Sequence, residues 1–179
     1  TVVSGASYVA MMLDAVHHLF QAQPMSVSNI HFPTPLMIEK DETKTVQLVI
    51  EPNGDTRHTA QIISFSSDAA QDQPWTAQHA QADLVHIHES SANAIDLNAI
   101  KNNCHHSINV DEFYSMLSSR KINLGPSYKW ITSIVRGDKE ALGTLDEPVS
   151  RSGLRSDQLH PGLLDAGFSL LLAMDMHAA

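Results

Sequence analysis

The sequence predicts an α+β fold in which one arrangement, an apolar helix against antiparallel strands, is present twice. Three observations carry that expectation. A helical pattern over Gly5–Phe20 leads into β-branched runs joined by a tight-turn signal. After a polar stretch come another helix and another pair of strands. Last is His160–Met174, where from Leu163 onward every helical face is apolar and the only charge is Asp165.

In the first half, Tyr8, Met11, Met12, Ala15, Val16, Leu19 and Phe20 recur at i, i+3, i+4 and i+7, which predicts a helix lying on a sheet. Pro24, Pro33 and Pro35 punctuate two short extended pieces, Val27–Phe32 and Leu36–Glu39. Lys44–Glu51 and His58–Ser66 are the clearest strands, and Pro52-Asn53-Gly54-Asp55 between them signals a hairpin. A Ser/Asp/Gln-rich loop over Ser66–Pro74 precedes an alternating strand, Trp75–Leu84.

The polar stretch 86–110 lacks a strand pattern and reads as a linker with a short helix over Asp96–Asn103. Asp111 is placed to cap a helix over Glu112–Ser119. A turn with Gly125-Pro126 leads to strands Tyr128–Val135 and Glu140–Leu145, joined at Arg136-Gly137-Asp138. A Ser/Arg-rich loop, Pro148–Gln158, delivers the chain to the final helix. Pro161 suits its first position, where no N–H is needed. These elements predict two "hotdog" units, each a sheet wrapped round a central helix: a first over 1–85, a linker over 86–110, and a second from 111 to 179. With no initiator Met, an opening in mid-pattern and a stop at the central helix, the chain reads as a piece of a longer polypeptide, incomplete at both ends.

Composition narrows the function. At 179 residues, 42% hydrophobic and 17% charged, the chain is an ordinary folded protein. A net charge of −9 lacks the basic footprint of a nucleic-acid binder. The single Cys104 excludes a disulfide framework and a Cys-rich zinc site, which makes a cytoplasmic setting the default. No apolar run approaches the ~20 residues of a membrane span, and no signal peptide is visible.

Asp165 is the residue in need of explanation, because a carboxylate in an apolar helix is costly unless paired, neutralised or used. It lies four residues past Pro161, beyond the free amides of the first turn, which weighs against capping; a cap and a satisfied structural carboxylate stand as the alternatives to a function, and Ser169 shares its face one turn on. Eleven histidines invite a metal, but His17-His18 and His105-His106 are adjacent pairs, and His86 with His88 lacks a third ligand. We therefore expect no metal. His160, with no partner visible, reads as structural; Trp75 and Trp130 read as core or sheet-face residues, and Arg136-Gly137-Asp138 as a turn.

His160-Pro161-Gly162-Leu163-Leu164-Asp165-Ala166 resembles the His-Pro-x-Leu-Leu-Asp signature of polyketide synthase dehydratase domains. Leu124-Gly125-Pro126-Ser127-Tyr128 is similar to their Tyr-Gly-Pro-x-Phe motif, and Ser4-Gly5-Ala6-Ser7-Tyr8 to the Pro-Gly-Ala-x-Tyr that closes their histidine motif. Trp75-Thr76-Ala77-Gln78-His79-Ala80 resembles the family's strand before the linker. Four matches in the right order span nearly the whole chain.

The resemblance implies a double hotdog and a syn elimination of water from a β-hydroxyacyl thioester on an acyl carrier protein. A histidine removes the α-proton and an aspartate, here Asp165, protonates the departing hydroxyl. Burial is expected to raise the Asp165 pKa against the opposing helix N-terminus. A backbone N–H near Gly5 would stabilise enolate charge. Gly125, Pro126, Tyr128 and Ser169 would contact substrate, with Met11, Met12, Tyr128 and Leu164 as tunnel walls. No cofactor is implied beyond the carrier's phosphopantetheine arm. The implied partners are carrier protein, the other domains of the same synthase and a second copy in a homodimer, with neither nucleic acid nor membrane. The family's histidine would precede Thr1, so the chain alone is expected to be inactive. Where the family usually has Gln or His one turn after the aspartate, this sequence has Ser169. Double-bond migration, pyran-ring closure and a non-catalytic scaffold are the alternatives.

Overall fold

The computed structural model describes residues 1–20, 25–66, 75–87, 94–148, 159–174 and 176. They form an α+β double hotdog that divides into two compact units, Thr1–Ser91 and Ala92–Ala179. The expected loops over 66–74 and 148–158 lie largely outside the described residues, as does the Trp75 side chain.

In the first unit, helix α1 (Gly5–Leu19) faces a four-stranded antiparallel sheet. The strands β1 (Met25–His31), β2 (Val46–Pro52), β3 (Arg57–Ser66) and β4 (Trp75–His86) pair in the order β1-β4-β3-β2. Tyr8, Met12 and Val16, one turn apart on α1, pack on Ala60 and Ile62 of β3 and Ala80, Ala82 and Leu84 of β4. The hairpin expected at Pro52–Asp55 forms, closed by the Asn53 amide on the Arg57 carbonyl at 2.9 Å. Leu36–Glu39 joins no sheet. It lies beside the start of the chain through one bridge, Val2 to Met37, with the Val3 amide on the Leu36 carbonyl and the Ile38 amide on the Thr1 carbonyl.

The second unit holds α2 (Leu97–Asn103), β5 (His106–Ile108), α3 (Val110–Ser119), a 3-10 turn (Pro126–Tyr128), β6 (Ile131–Arg136), β7 (Ala141–Leu145) and α4 (Pro161–Ala173). Its sheet runs β5-β6-β7. The stretch 86–110, expected as a linker, thus contains elements: β4 extends to His86, where it pairs with Met25, and β5 pairs with β6. The cap of α3 is Asn109, not Asp111. The Asn109 Oδ1 accepts the amides of Asp111 and Glu112, leaving both carboxylates in the first turn, where the helix dipole favours them. β6 begins at Ile131 rather than Tyr128, because Pro126 starts a 3-10 turn that the Tyr128 amide closes on the Gly125 carbonyl.

Helix α4 packs on β6, β7 and the 3-10 turn. Ala166 and Ala173 are buried there with Trp130, Ile131, Ile134, Phe113 and Leu117. Among the described residues the sheet covers one side of the helix, and Phe168 and Leu171 are 56% and 59% exposed. No helix among the described residues is long and apolar enough to cross a membrane.

Candidate active site

The chain enters α4 through His160, which is 7% exposed. Its Nδ1 accepts the Gly162 amide at 2.9 Å, and its carbonyl accepts the Leu163 amide at 3.0 Å and the Leu164 amide at 3.5 Å. Pro161 has no amide to satisfy. One residue therefore serves the whole amide end of the helix. An accepting Nδ1 makes the ring neutral with its proton on Nε2. The ring lies 5.2 Å from that of Trp130 and 6.1 Å from that of Tyr128, and the Trp130 indole N–H donates to the Ser127 carbonyl at 2.9 Å. Gly162 sits against this group: a Cβ there would fall 2.6 Å from the Ser127 oxygen and 2.7 Å from the Trp130 Nε1. The motifs around Gly125 and Asp165 thus meet in space.

Asp165, one turn into α4, is half-buried and makes no hydrogen bond or ion pair among the described residues. Burial raises its pKa above the ordinary carboxylate range, as expected. Ser169 is half-buried one turn further on. Tyr128 is half-buried; Gly125 and Pro126 are exposed.

In the first unit, Ser4 caps α1, its hydroxyl accepting the Ser7 amide at 3.3 Å. The amides of Gly5 and Ala6 have no acceptor among the described residues. The Phe32 ring covers Gly5 so closely that a Cβ would meet it at 3.0 Å. Of the expected tunnel walls, Met12 is wholly buried in the core and so lines no accessible surface; Met11 is 42% exposed, and Leu164 is half-buried.

One residue escaped the sequence reading as a site. His79 is 3% exposed, with Nε2 2.7 Å from the Ser64 hydroxyl and Nδ1 3.0 Å from the Thr34 carbonyl. A carbonyl only accepts, so Nδ1 carries a proton toward Thr34, and Nε2 is paired with the Ser64 hydroxyl. Strict alternation would turn His79 away from its buried neighbour Ala80. A register shift opposite Ile62–Ile63 turns it inward instead, and no sequence pattern announces that bulge. Among the other histidines, His17, His18, His105 and His106 are exposed, and His88 lies outside the described residues. His86 stands 6.2 Å from His58, ring to ring. Among the described residues no three His, Cys, Asp or Glu gather as a metal site.

A family model for the polyketide synthase dehydratase N-terminal domain matches residues 92–179, and one for the polyketide synthase dehydratase domain matches residues 1–65. The chain is 32% identical to the CurJ dehydratase, solved as an inactive histidine-to-phenylalanine mutant with a bound compound. That match has a TM-score of 0.81 and covers 97% of this chain and 58% of that one. It is 26% identical to an inactive aspartate-to-asparagine mutant of the CurK dehydratase, with a TM-score of 0.85, covering 99% and 62%. Over 181 residues it is 24% identical to the reducing polyketide synthase Preu2 of Preussia isomera, covering 97% of this chain and 8% of that synthase. The chain therefore spans less than two thirds of the dehydratase structures and a small part of the synthase.

Proposed function

The chain belongs to the polyketide synthase dehydratase family, and we propose that Asp165 is the general acid of a syn elimination of water from a β-hydroxyacyl thioester on an acyl carrier protein. The observation that carries this reading is the Asp165 carboxyl itself: half-buried, without a partner among the described residues, and with a pKa lifted by burial alone. A carboxyl whose pKa is raised holds its proton to higher pH than a free one, which suits a proton donor.

In this reaction a histidine base takes the α-proton. The C–H electrons form the Cα–Cβ double bond, and the β-hydroxyl leaves as water with the proton of Asp165. Charge that develops on the thioester oxygen calls for hydrogen-bond donors, and in the first unit the amides of Gly5 and Ala6 are open. Tyr128, Gly125, Pro126 and Ser169 contact the acyl chain or its carrier arm. The inactive CurK and CurJ mutants lost an aspartate and a histidine, the two residue types this reading requires. No cofactor takes part. The carrier protein, the other domains of the same cytoplasmic synthase and a second copy of the domain are the partners.

The test is to incubate the intact parent domain with a β-hydroxyacyl carrier protein and follow the loss of water by mass. Asp165→Asn is expected to abolish that loss; unchanged turnover refutes the assignment. Ser169, a short side chain beside Asp165, favours a second reading, isomerisation or ring closure, which would convert substrate at unchanged mass.

A further inference from the structure

We propose that His160 is a positioning residue for Asp165: it closes the amide end of α4 and fixes the first turn of that helix on the Pro126–Tyr128 turn. This rests on Asp165 being the acid. Helical side chains tilt toward the N-terminus, so the Asp165 carboxyl overlies the turn that contains Pro161 and Gly162. Unsatisfied amides at that turn would present partial positive charge to the carboxyl and favour its ionised form, which cannot donate a proton. His160 removes that influence by accepting the Gly162 amide on its ring and the next two on its carbonyl.

The same residue sets the helix in place. Its ring packs against Trp130 and Tyr128, the Trp130 indole holds the Ser127 carbonyl, and the bare Cα of Gly162 seats against both. Asp165 is three residues on, on the same rigid helix, so a change in this seat moves the carboxyl. The titratable groups on elements packed against α4 are Tyr128 on the 3-10 turn, Arg136 at the end of β6 and, on α3, Asp111, Glu112 and Tyr114; β7 has none. The shift at Asp165 comes from burial.

The test compares wild type, His160→Ala, His160→Asn and Asp165→Asn in the intact parent domain, measuring kcat and KM across pH. A general acid works while protonated, so activity falls as pH rises through its pKa. His160→Ala is expected to lower kcat about ten- to a hundredfold with KM unchanged, and to move the alkaline fall to lower pH. His160→Asn, whose oxygen can accept the Gly162 amide, is expected to recover most of both. A folded His160→Ala protein with wild-type kcat and pH profile overturns the proposal, as does a folded His160→Asn protein no better than His160→Ala. If instead Asp165→Asn keeps its turnover, the acid assignment fails first, and the proposal with it. Should the alanine variant not fold, hydrogen exchange at the Gly162 amide of the unaltered domain decides. Protection supports the capping bond, and exchange at the rate of a free amide removes it.

Discussion

At the start of α1 the Ser4 side chain accepts only the Ser7 amide, and the amides of Gly5 and Ala6 stay open. At the start of α4, His160 accepts every amide that follows Pro161 until the helix supplies its own acceptors. Both helices bury one face on an antiparallel sheet, so the difference lies in the caps and not in the packing. An open end offers donors to negative charge; a closed end leaves a nearby carboxyl subject to burial alone. On the function proposed above, the first would serve an oxyanion and the second an acid that holds its proton.

The largest expected effect is on the closed end. In the intact parent domain Asp165→Asn should reduce the dehydration rate by about 10²–10⁴, the usual worth of a positioned proton donor. A smaller loss would mean that the caps differ for a reason other than acid chemistry.

Next come the cores that hold the two caps. Phe113 and Met12 are wholly buried, one in each unit. Phe113→Ala is expected to cost about 3–5 kcal/mol and Met12→Ala about 2–5 kcal/mol in denaturant unfolding. If the two variants unfold different parts of the protein, by hydrogen exchange, the units are separate cooperative bodies.

Ser4→Ala should cost about 1 kcal/mol, the ordinary worth of a hydroxyl cap, and leave the alkaline fall of activity where it is. A shift of that fall would show that the open end also acts on the acid.

The smallest effect is on stability. Folding raises the pKa of Asp165, so the folded state prefers the protonated carboxyl, and stability is lost as pH rises through the folded value. Asp165→Asn removes that loss. Its melting temperature should match the wild type below pH ~4, where the carboxyl is protonated in both states, and exceed it increasingly at higher pH. Equal melting temperatures at neutral pH would mean that solvent screens the half-exposed carboxyl fully.

Much of this was legible in the residues. Periodicity placed α1, β2, β3, β7 and α4, because their apolar spacing repeats over several residues. Pro161 marked the start of α4, and the lone charge marked Asp165. The failures share a physical origin. Asn109 and Asp111 have the same capping chemistry two residues apart, and only the backbone decides between them. β5 is three residues long and gains its identity from pairing with β6. His79 turns inward through a bulge that depends on the facing strand.

By itself, then, the sequence determined the order of elements, the two-helix plan and the identity of the charged residue, since hydrophobic spacing and local turn chemistry are properties of neighbours along the chain. Tertiary structure alone decided that His160 caps α4 and that Gly162 seats it against Trp130 and Ser127. Those outcomes depend on which surfaces approach one another, a relation between residues distant in the chain that no local pattern encodes.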